Sequence, residues 1–445
     1  MPPDRLVPNL KGAFGQLGRI GEEILETGVG AIRYRETSGR SPRSVVFVAR
    51  HHDVVQVLTD EETFSVCHYD TLYSAIAPEV GGHRACFLMR VPGAERTERK
   101  AILDAAKAAT PWWDVDPRDR RRTARACVAT LLAAFAARKR HRFDLIGEFG
   151  FFAPYLIANR IFGLPGPRQF RILPRLICLA NSLPLGRTFG RDDGPALTQL
   201  VWSELVLGQL FVNFEDRNPV LRWLARRGLA ALRRHIKVRV ASPLPFPPGE
   251  PTLLSALLSP EVSSRFERRC VTPYGEHVVS LMIELVGTAM VVPGQAFTAV
   301  VNRWLEAGVG FGDLKLMADT DVDDFVDEQL RLAPPADHLL RNALHDTELG
   351  GLTVKQDEYV CALVGAAGKD VCDANRLVCG RPQEDYVHFG PNAGPHHCFG
   401  RPIAHAMLAE MFIGLRGLPN LTAQQGAITD LGHQGIIPGR LKVSF

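Results

Sequence analysis

Near its C-terminus the chain carries Phe389-Gly390-Pro391-Asn392-Ala393-Gly394-Pro395-His396-His397-Cys398-Phe399-Gly400, one cysteine in a glycine- and proline-rich run. An apolar, helix-like stretch follows directly. A thiolate held there gains from the N–H groups of a tight loop and from a helix N-terminus. Both lower its pKa and suit it to bind a metal. Glycines let a flat, bulky group lie against the backbone. The first reading is therefore a haem iron ligated by Cys398.

The elements that must position this cysteine are mostly helices. A strand is expected at Ser44–Val48, then a helix with Asp53 as N-cap and Val54, Val55, Val57 and Leu58 on its apolar face. Helices are expected over Pro92–Ala106, Arg120–Ala137, Asp144–Phe162, Leu197–Phe214 and Pro219–Val240. Gly163-Leu164-Pro165-Gly166-Pro167 is a clean helix stop, and Ser242–Pro251 a connector. Glu276–Glu306 is the longest helical candidate, apolar over most of its surface and so expected to run through the middle of the fold. Pro293-Gly294 breaks its centre, which marks either a packing feature or a ligand site. Asp321–Leu332 follows, then strand-like stretches at His338–Leu344 and Glu358–Leu363. A helix over Pro402–Leu415 and short strands in Leu421–Phe445 close the chain. Helix dominates, and strands are few and late.

The 445 residues are 46% apolar and 22% charged, an ordinary globular composition. The net charge of +4 does not suggest nucleic acid as a partner. Basic residues cluster at Arg118, Arg120, Arg121 and Arg122, at Arg138, Lys139 and Arg140, and at Arg233, Arg234, Lys237 and Arg239. These are solvated faces or a docking surface for an acidic electron-transfer protein. The nine cysteines show no CxxC spacing, which argues against a disulfide framework and a structural zinc site. No signal-like or membrane-spanning run is visible, so a soluble, cytoplasmic protein without a membrane anchor is expected. Arg96 and Lys100, at i and i+4, are a solvated pair or a cationic clamp for a ligand carboxylate.

Glu328-x-x-Arg331 on a helix, followed by a Phe-Gly…Gly-x-His-x-Cys-x-Gly loop, resembles the cytochrome P450 family of haem-thiolate enzymes. The resemblance extends over most of the chain, with Ala367-Gly368-Lys369-Asp370 where the family often has an Ala-Asn-Arg-Asp turn. It implies a mainly α fold with a minor β portion, a single domain over residues 1–445. Haem b would lie between the long central helix and the helix after the cysteine loop. Cys398 would be the axial thiolate, with Phe389, Gly394 and Gly400 shaping its loop. His396, Arg341, Arg96 and Lys100 would bind the haem propionates. Glu328 and Arg331 would form a buried structural ion pair, with Arg376, or alternatively Arg381, as third member.

Two departures from the family pattern stand out. Phe389 lies nine residues before Cys398, where the family's aromatic usually lies seven before, and Pro391-Asn392 is the insertion. Val292 and Pro293 occupy the positions of the family's distal acid–alcohol pair, and neither can relay a proton. Thr288 and Gln295 are the nearby polar residues, while Met290, Val291 and Phe297 would border the substrate pocket. The resemblance implies a monooxygenase acting on a small, largely apolar organic substrate of secondary-metabolite type, with O2 and electrons from a ferredoxin-type donor. The missing pair keeps open a peroxide-driven oxidation, or a rearrangement that needs no external electrons. A haem-binding protein without catalysis is the reading from another class.

Overall fold

Val45, Val46, Phe47 and Val48 are fully buried, as a strand covered on both faces requires. Ser44–Val48 lies inside a six-stranded sheet whose order is Asp4–Val7, Ala31–Glu36, Ser44–Val48, Tyr359–Ala362, Leu339–Ala343, Phe64–Ser65. The computed structural model describes residues 4–8, 10–37, 43–69, 79–80, 83–84, 93–110, 117–137, 142–163, 219–241, 252–267, 273–306, 311–371, 382–391, 394–423 and 441–444. Its contacts sort into two compact units. One holds residues 1–72, 89–91 and 323–399, the other residues 73–88, 92–322 and 400–445.

The first unit is built on the sheet. Ser44–Val48 pairs antiparallel with Ala31–Glu36 and parallel with Tyr359–Ala362, which pairs antiparallel with Leu339–Ala343. Four of its six strands are therefore N-terminal, which corrects the expectation of strands late in the chain. Arg33 interrupts the apolar pattern of Ala31–Glu36 and hides it as a strand. Its guanidinium is buried and bonded to Glu358 at 2.7 and 3.1 Å. The helix His51–Thr59 starts earlier than expected, with Arg50 rather than Asp53 at the N-cap. The carboxylate of Asp370 receives the His51 N–H at 2.8 Å, so a remote residue caps the helix. Asp370 itself stands in the helix Val364–Val371, so Ala367–Asp370 is helical and not a turn.

The second unit is helical. Pro117–Ala136, Phe152–Phe162, Tyr274–Glu306 and Arg401–Arg416 pack on one another. Gly414 brings two of them close, since a Cβ there would stand 2.5 Å from Val128 Cγ1. Beside it, Arg125 grips the buried Glu410 through Nε and Nη2 at 3.0 and 2.9 Å. The expected single helix Asp144–Phe162 is three pieces: a strand Arg142–Asp144, a π-helical turn Leu145–Gly150 and a helix Phe152–Phe162. Asp144 causes the change, because its carboxylate accepts the N–H groups of Ile146 and Gly147 at 3.1 Å each.

Tyr274–Glu306 runs as one helix through Pro293, so the expected break is not there. Its Tyr274–Trp304 portion is long and apolar enough to cross a membrane by composition, but 78% of its most apolar window is buried within the fold. Gly294 serves packing: a Cβ there would meet Phe151 at 2.9 Å and the Gly150 carbonyl at 3.0 Å. The expected helix over residues 197–214 and the connector over residues 242–251 lie outside the described residues.

Two outcomes follow from this packing. Gly414→Val forces Val128 and Leu132 aside and lowers unfolding stability by about 1–3 kcal/mol in denaturant titration. In the sheet unit, burial pushes the pKa of His68 down to about 4, with Arg43 adding to the effect. The unfolded chain then takes up a proton near pH 6.5 that the folded chain refuses until about 4. Stability accordingly falls as pH drops through that window, and His68→Phe flattens this part of the stability–pH profile.

Candidate haem-thiolate site

The cysteine loop belongs to the sheet unit and is closed by its own backbone. Gly390 N–H donates to Val387 O at 2.9 Å, Gly394 to Pro391 at 2.8 Å, His397 to Gly394 at 3.1 Å and Cys398 to Phe389 at 2.8 Å. These N–H groups therefore hold the shape of the loop. Gly390 has φ +79°, and a Cβ there would lie 3.2 Å from the His396 carbonyl, so glycine is required on both counts. Gly394 rests against the end of the helix His51–Thr59, with the Thr59 methyl 3.5 Å and the Leu58 carbonyl 3.7 Å from a Cβ placed there. Pro391 is part of this turn, while Asn392 lies outside the described residues. Cys398 is half-buried, as is Phe389, whose ring stands 4.7 Å from that of His388. Gly400 caps the helix Arg401–Arg416, its carbonyl accepting the N–H groups of Ile403 and Ala404 at 3.0 and 2.9 Å.

Beneath the loop stands the ion-pair helix Val322–Leu332. Glu328 and Arg331 are buried, and Arg331 donates through Nε and Nη2 to the Glu328 carboxylate at 2.9 and 2.5 Å. Arg331 Nη1 also donates to the Gly368 carbonyl. A side chain at position 368 would strike the Arg331 backbone, so glycine lets the two segments meet. The buried His388 side chain lies 3.6 Å from Asp327, on the same helix. Arg376 and Arg381 lie outside the described residues.

Arg341 is 2% exposed on the strand Leu339–Ala343, and its Nη1 donates to the Leu340 carbonyl at 2.9 Å. The Tyr69 hydroxyl accepts the Leu340 N–H at 2.9 Å. Burial raises the Tyr69 pKa, against an opposing pull from Arg341. His396 Nε2 lies 2.7 Å from Glu61 Oε1. Its partner on that ring nitrogen is thus a carboxylate of the chain itself.

In the helical unit, Arg96 is half-buried and Lys100 exposed on the helix Ala94–Ala108. The cation turned inward is Arg99, 2% exposed, which the sequence reading passed over. The signal was present: Arg99 is in phase with the buried Ile102, Leu103 and Ala106, on the apolar stripe of an amphipathic helix.

On the central helix, Thr288, Val292, Gln295, Ala299 and Asn302 are half-buried and recur at spacings of four, three, four and three, so they form one face. Met290, Val291, Pro293 and Phe297 are buried off that face. The Phe297 ring packs 5.7 Å from Phe149 and 5.2 Å from Phe412, in an aromatic cluster of the core. The structure therefore groups Thr288, Val292 and Gln295 and separates them from Met290, Val291, Pro293 and Phe297. Thr288 Oγ1 donates to the Glu284 carbonyl at 2.7 Å. Pro293 has no N–H, so the Ala289 carbonyl one turn earlier loses its helical donor.

The donor set fits a haem. Among the described residues no group of three or more His, Cys, Asp or Glu is placed to hold a bare ion. A half-buried thiol in a loop closed by backbone hydrogen bonds suits an iron that brings its own four nitrogens, and the buried Arg341 of the same unit suits a carboxylate of that macrocycle.

No family model matches the chain. Cytochrome P450 109 of Bacillus spizizenii is 31% identical over 106 residues, 23% of this chain and 25% of that protein. Mycinamicin IV hydroxylase/epoxidase of Micromonospora griseorubida is 35% identical over 85 residues, 18% of this chain and 21% of that protein. The matched stretches span about a quarter or less of these curated relatives. The crystal structure of the versatile cytochrome P450 enzyme CYP109B1 from Bacillus subtilis superposes with a TM-score of 0.66 at 18% identity, covering 97% of this chain and 100% of that one. The chain has the cytochrome P450 fold, mainly α with a minor β portion. Its recognisable sequence relatives are cytochrome P450s as well, which agrees with the resemblance carried by the cysteine loop and the ion-pair helix.

The ion pair yields a direct test. Glu328→Ala leaves a buried guanidinium without its carboxylate and lowers unfolding stability by about 3–5 kcal/mol. Pairing Glu328→Leu with Arg331→Met recovers most of that loss, and a double variant as unstable as Glu328→Ala would contradict the assigned pairing.

Proposed function

We propose that this chain is a haem-thiolate monooxygenase with Cys398 as the axial ligand of haem b. The observation that carries the reading is Cys398 itself, half-buried in a loop closed by four backbone hydrogen bonds. When bound, a thiolate-ligated haem supplies the electron donation that favours O–O cleavage. The chain's own residues do the rest. Arg341 and His396 bind the carboxylates of the cofactor. Glu328 and Arg331 fix the helix beneath the loop. The face formed by Thr288, Val292, Gln295 and Ala299 excludes water and shapes the space for substrate.

The substrate is a small, largely apolar organic molecule of secondary-metabolite type. A relative named as Mycinamicin IV hydroxylase/epoxidase supports this, as do the apolar side chains of Val292 and Ala299 on that face. O2 is the oxidant, with electrons from a soluble ferredoxin-type donor, and the enzyme works in the cytoplasm. On the central helix, the Thr288 hydroxyl proton is committed to Glu284 O. That makes the Gln295 carboxamide the group on this face to which we assign a hydrogen bond that orients a proton-carrying water.

One observation favours a second reading, oxidation driven by peroxide without external electrons: Val292, which cannot relay a proton, stands in the middle of the half-buried face. Turnover of a panel of apolar substrates separates the two. The monooxygenase reading expects product with reductase, ferredoxin and NADPH, and little with hydrogen peroxide alone. The reverse outcome overturns it. Gln295→Leu is expected to lower reductant-driven turnover by about 100-fold, the scale of an interrupted proton-delivery path. An unchanged rate removes Gln295 from the mechanism.

A further inference from the structure

Tyr69 and Arg341 meet at one residue, Leu340, of the strand Leu339–Ala343, and all three belong to the sheet unit that also holds Cys398. Backbone groups along an antiparallel strand alternate in direction. Ala343 N–H donates to Glu358 O at 3.0 Å, on the side of Tyr359–Ala362, while Leu344 N–H donates to Thr63 O at 2.8 Å, on the opposite side. Leu340, four residues before Leu344, faces that opposite side as well. The neighbour there is the edge strand Phe64–Ser65, two residues long, which pairs with Ala343 and Asn342. The chain then turns away, with Tyr69 N–H donating to Val66 O at 3.0 Å. Leu340 is buried, so its N–H and its carbonyl both need partners beyond the end of that short strand.

Two side chains supply them. The Tyr69 hydroxyl accepts the Leu340 N–H at 2.9 Å, and Arg341 Nη1 donates to the Leu340 carbonyl at 2.9 Å. The Tyr69 ring is buried and stands edge-on to His68 at 5.6 Å, and the His68 ring stands 5.4 Å from that of Tyr359. The hydroxyl is therefore delivered by a packed ring. A strand residue opposite Leu340 would take both its N–H and its carbonyl. A single phenol oxygen takes only the N–H and leaves the carbonyl to Arg341. With Nη1 fixed to the backbone, the plane of the guanidinium and the direction of its remaining donors are set, as two-point binding of a carboxylate requires.

We propose that Tyr69 is a positioning residue for Arg341: by closing the strand edge at Leu340 it holds the guanidinium in the orientation that receives a carboxylate of the haem. This inference rests on the haem-thiolate reading. Tyr69 acts on the cofactor only through Arg341.

The test uses haem-loaded wild type, Tyr69→Phe, Arg341→Leu, Arg341→Gln and Tyr69→Phe in each Arg341 background. Tyr69→Phe keeps the ring and removes one oxygen, so the Leu340 N–H loses its acceptor. Two properties are measured: the rate of haem transfer to excess apomyoglobin and the midpoint reduction potential. Tyr69→Phe should speed haem loss by about tenfold, the lower end of what losing an outer-shell partner does. It should also lower the potential, because a cation held less firmly beside the macrocycle stabilises the reduced, more negative form less. In the Arg341→Leu and Arg341→Gln backgrounds, Tyr69→Phe should change neither property. The inference is overturned if Tyr69→Phe leaves both properties at their wild-type values, or if it accelerates haem loss equally in the two Arg341 backgrounds. A wild type that binds no haem removes the haem-thiolate reading and this inference together, whereas a normal holoenzyme indifferent to Tyr69→Phe removes only the inference.

Discussion

A guanidinium and a carboxylate removed together from water, Arg331 and Glu328, set a strict geometric constraint on the sheet unit. Glu328 and Arg331 are held to each other by two hydrogen bonds and to the neighbouring segment by the bond to Gly368 O. Such a pair is not by itself a source of large stability, since desolvation offsets much of the attraction. It is intolerant of misplacement, because either partner alone would be a buried, uncompensated charge. Its geometry therefore dictates what surrounds it. Position 368 must be glycine, and Asp327 on the same helix faces the histidine that leads into the cysteine loop. Rigidity at Cys398 begins with this pair and ends with the four hydrogen bonds that close the loop.

The helical unit solves a related problem with other means. Buried charges there are matched to helix contacts: Glu410 with the exposed Arg125, Arg233 with Glu276, which also takes the half-buried Lys237, and Arg99 with His277. Glycines at 294 and 414 bring helices close enough for aromatic packing around Phe149, Phe297 and Phe412. What remains of the central helix is a narrow half-buried face, apolar at Val292 and Ala299 and polar at Thr288, Gln295 and Asn302.

Much of this was legible in the residues, for identifiable reasons. The cysteine loop announces itself because glycine, proline and cysteine have few other uses at that density. The ion-pair helix was found as a motif in sequence order, and its burial follows from the apolar residues in phase with it. Two features were misread where a local signal was overridden by a side chain. Arg33 masked a strand because Glu358, far along the chain, neutralises it. Asp144 reads as the start of a long helix, yet its carboxylate reorganises the next turn. Arg99, in phase with the apolar stripe of its helix, was the buried cation that the i, i+4 spacing of Arg96 and Lys100 did not point to. The division of labour on the central helix, with Phe297 in the core and Gln295 on the half-buried face, depends on neighbours that the sequence alone does not place.

The central claim is that Cys398 binds haem iron as a thiolate. The carbon-monoxide difference spectrum of the reduced holoenzyme tests it most directly, compared between wild type and Cys398→Ala. Wild type should give the strongly red-shifted Soret band of a thiolate-ligated haem, and Cys398→Ala should lose that band while remaining folded. A folded wild type that binds haem without the shifted band, or a Cys398→Ala variant that retains it, would contradict the assignment.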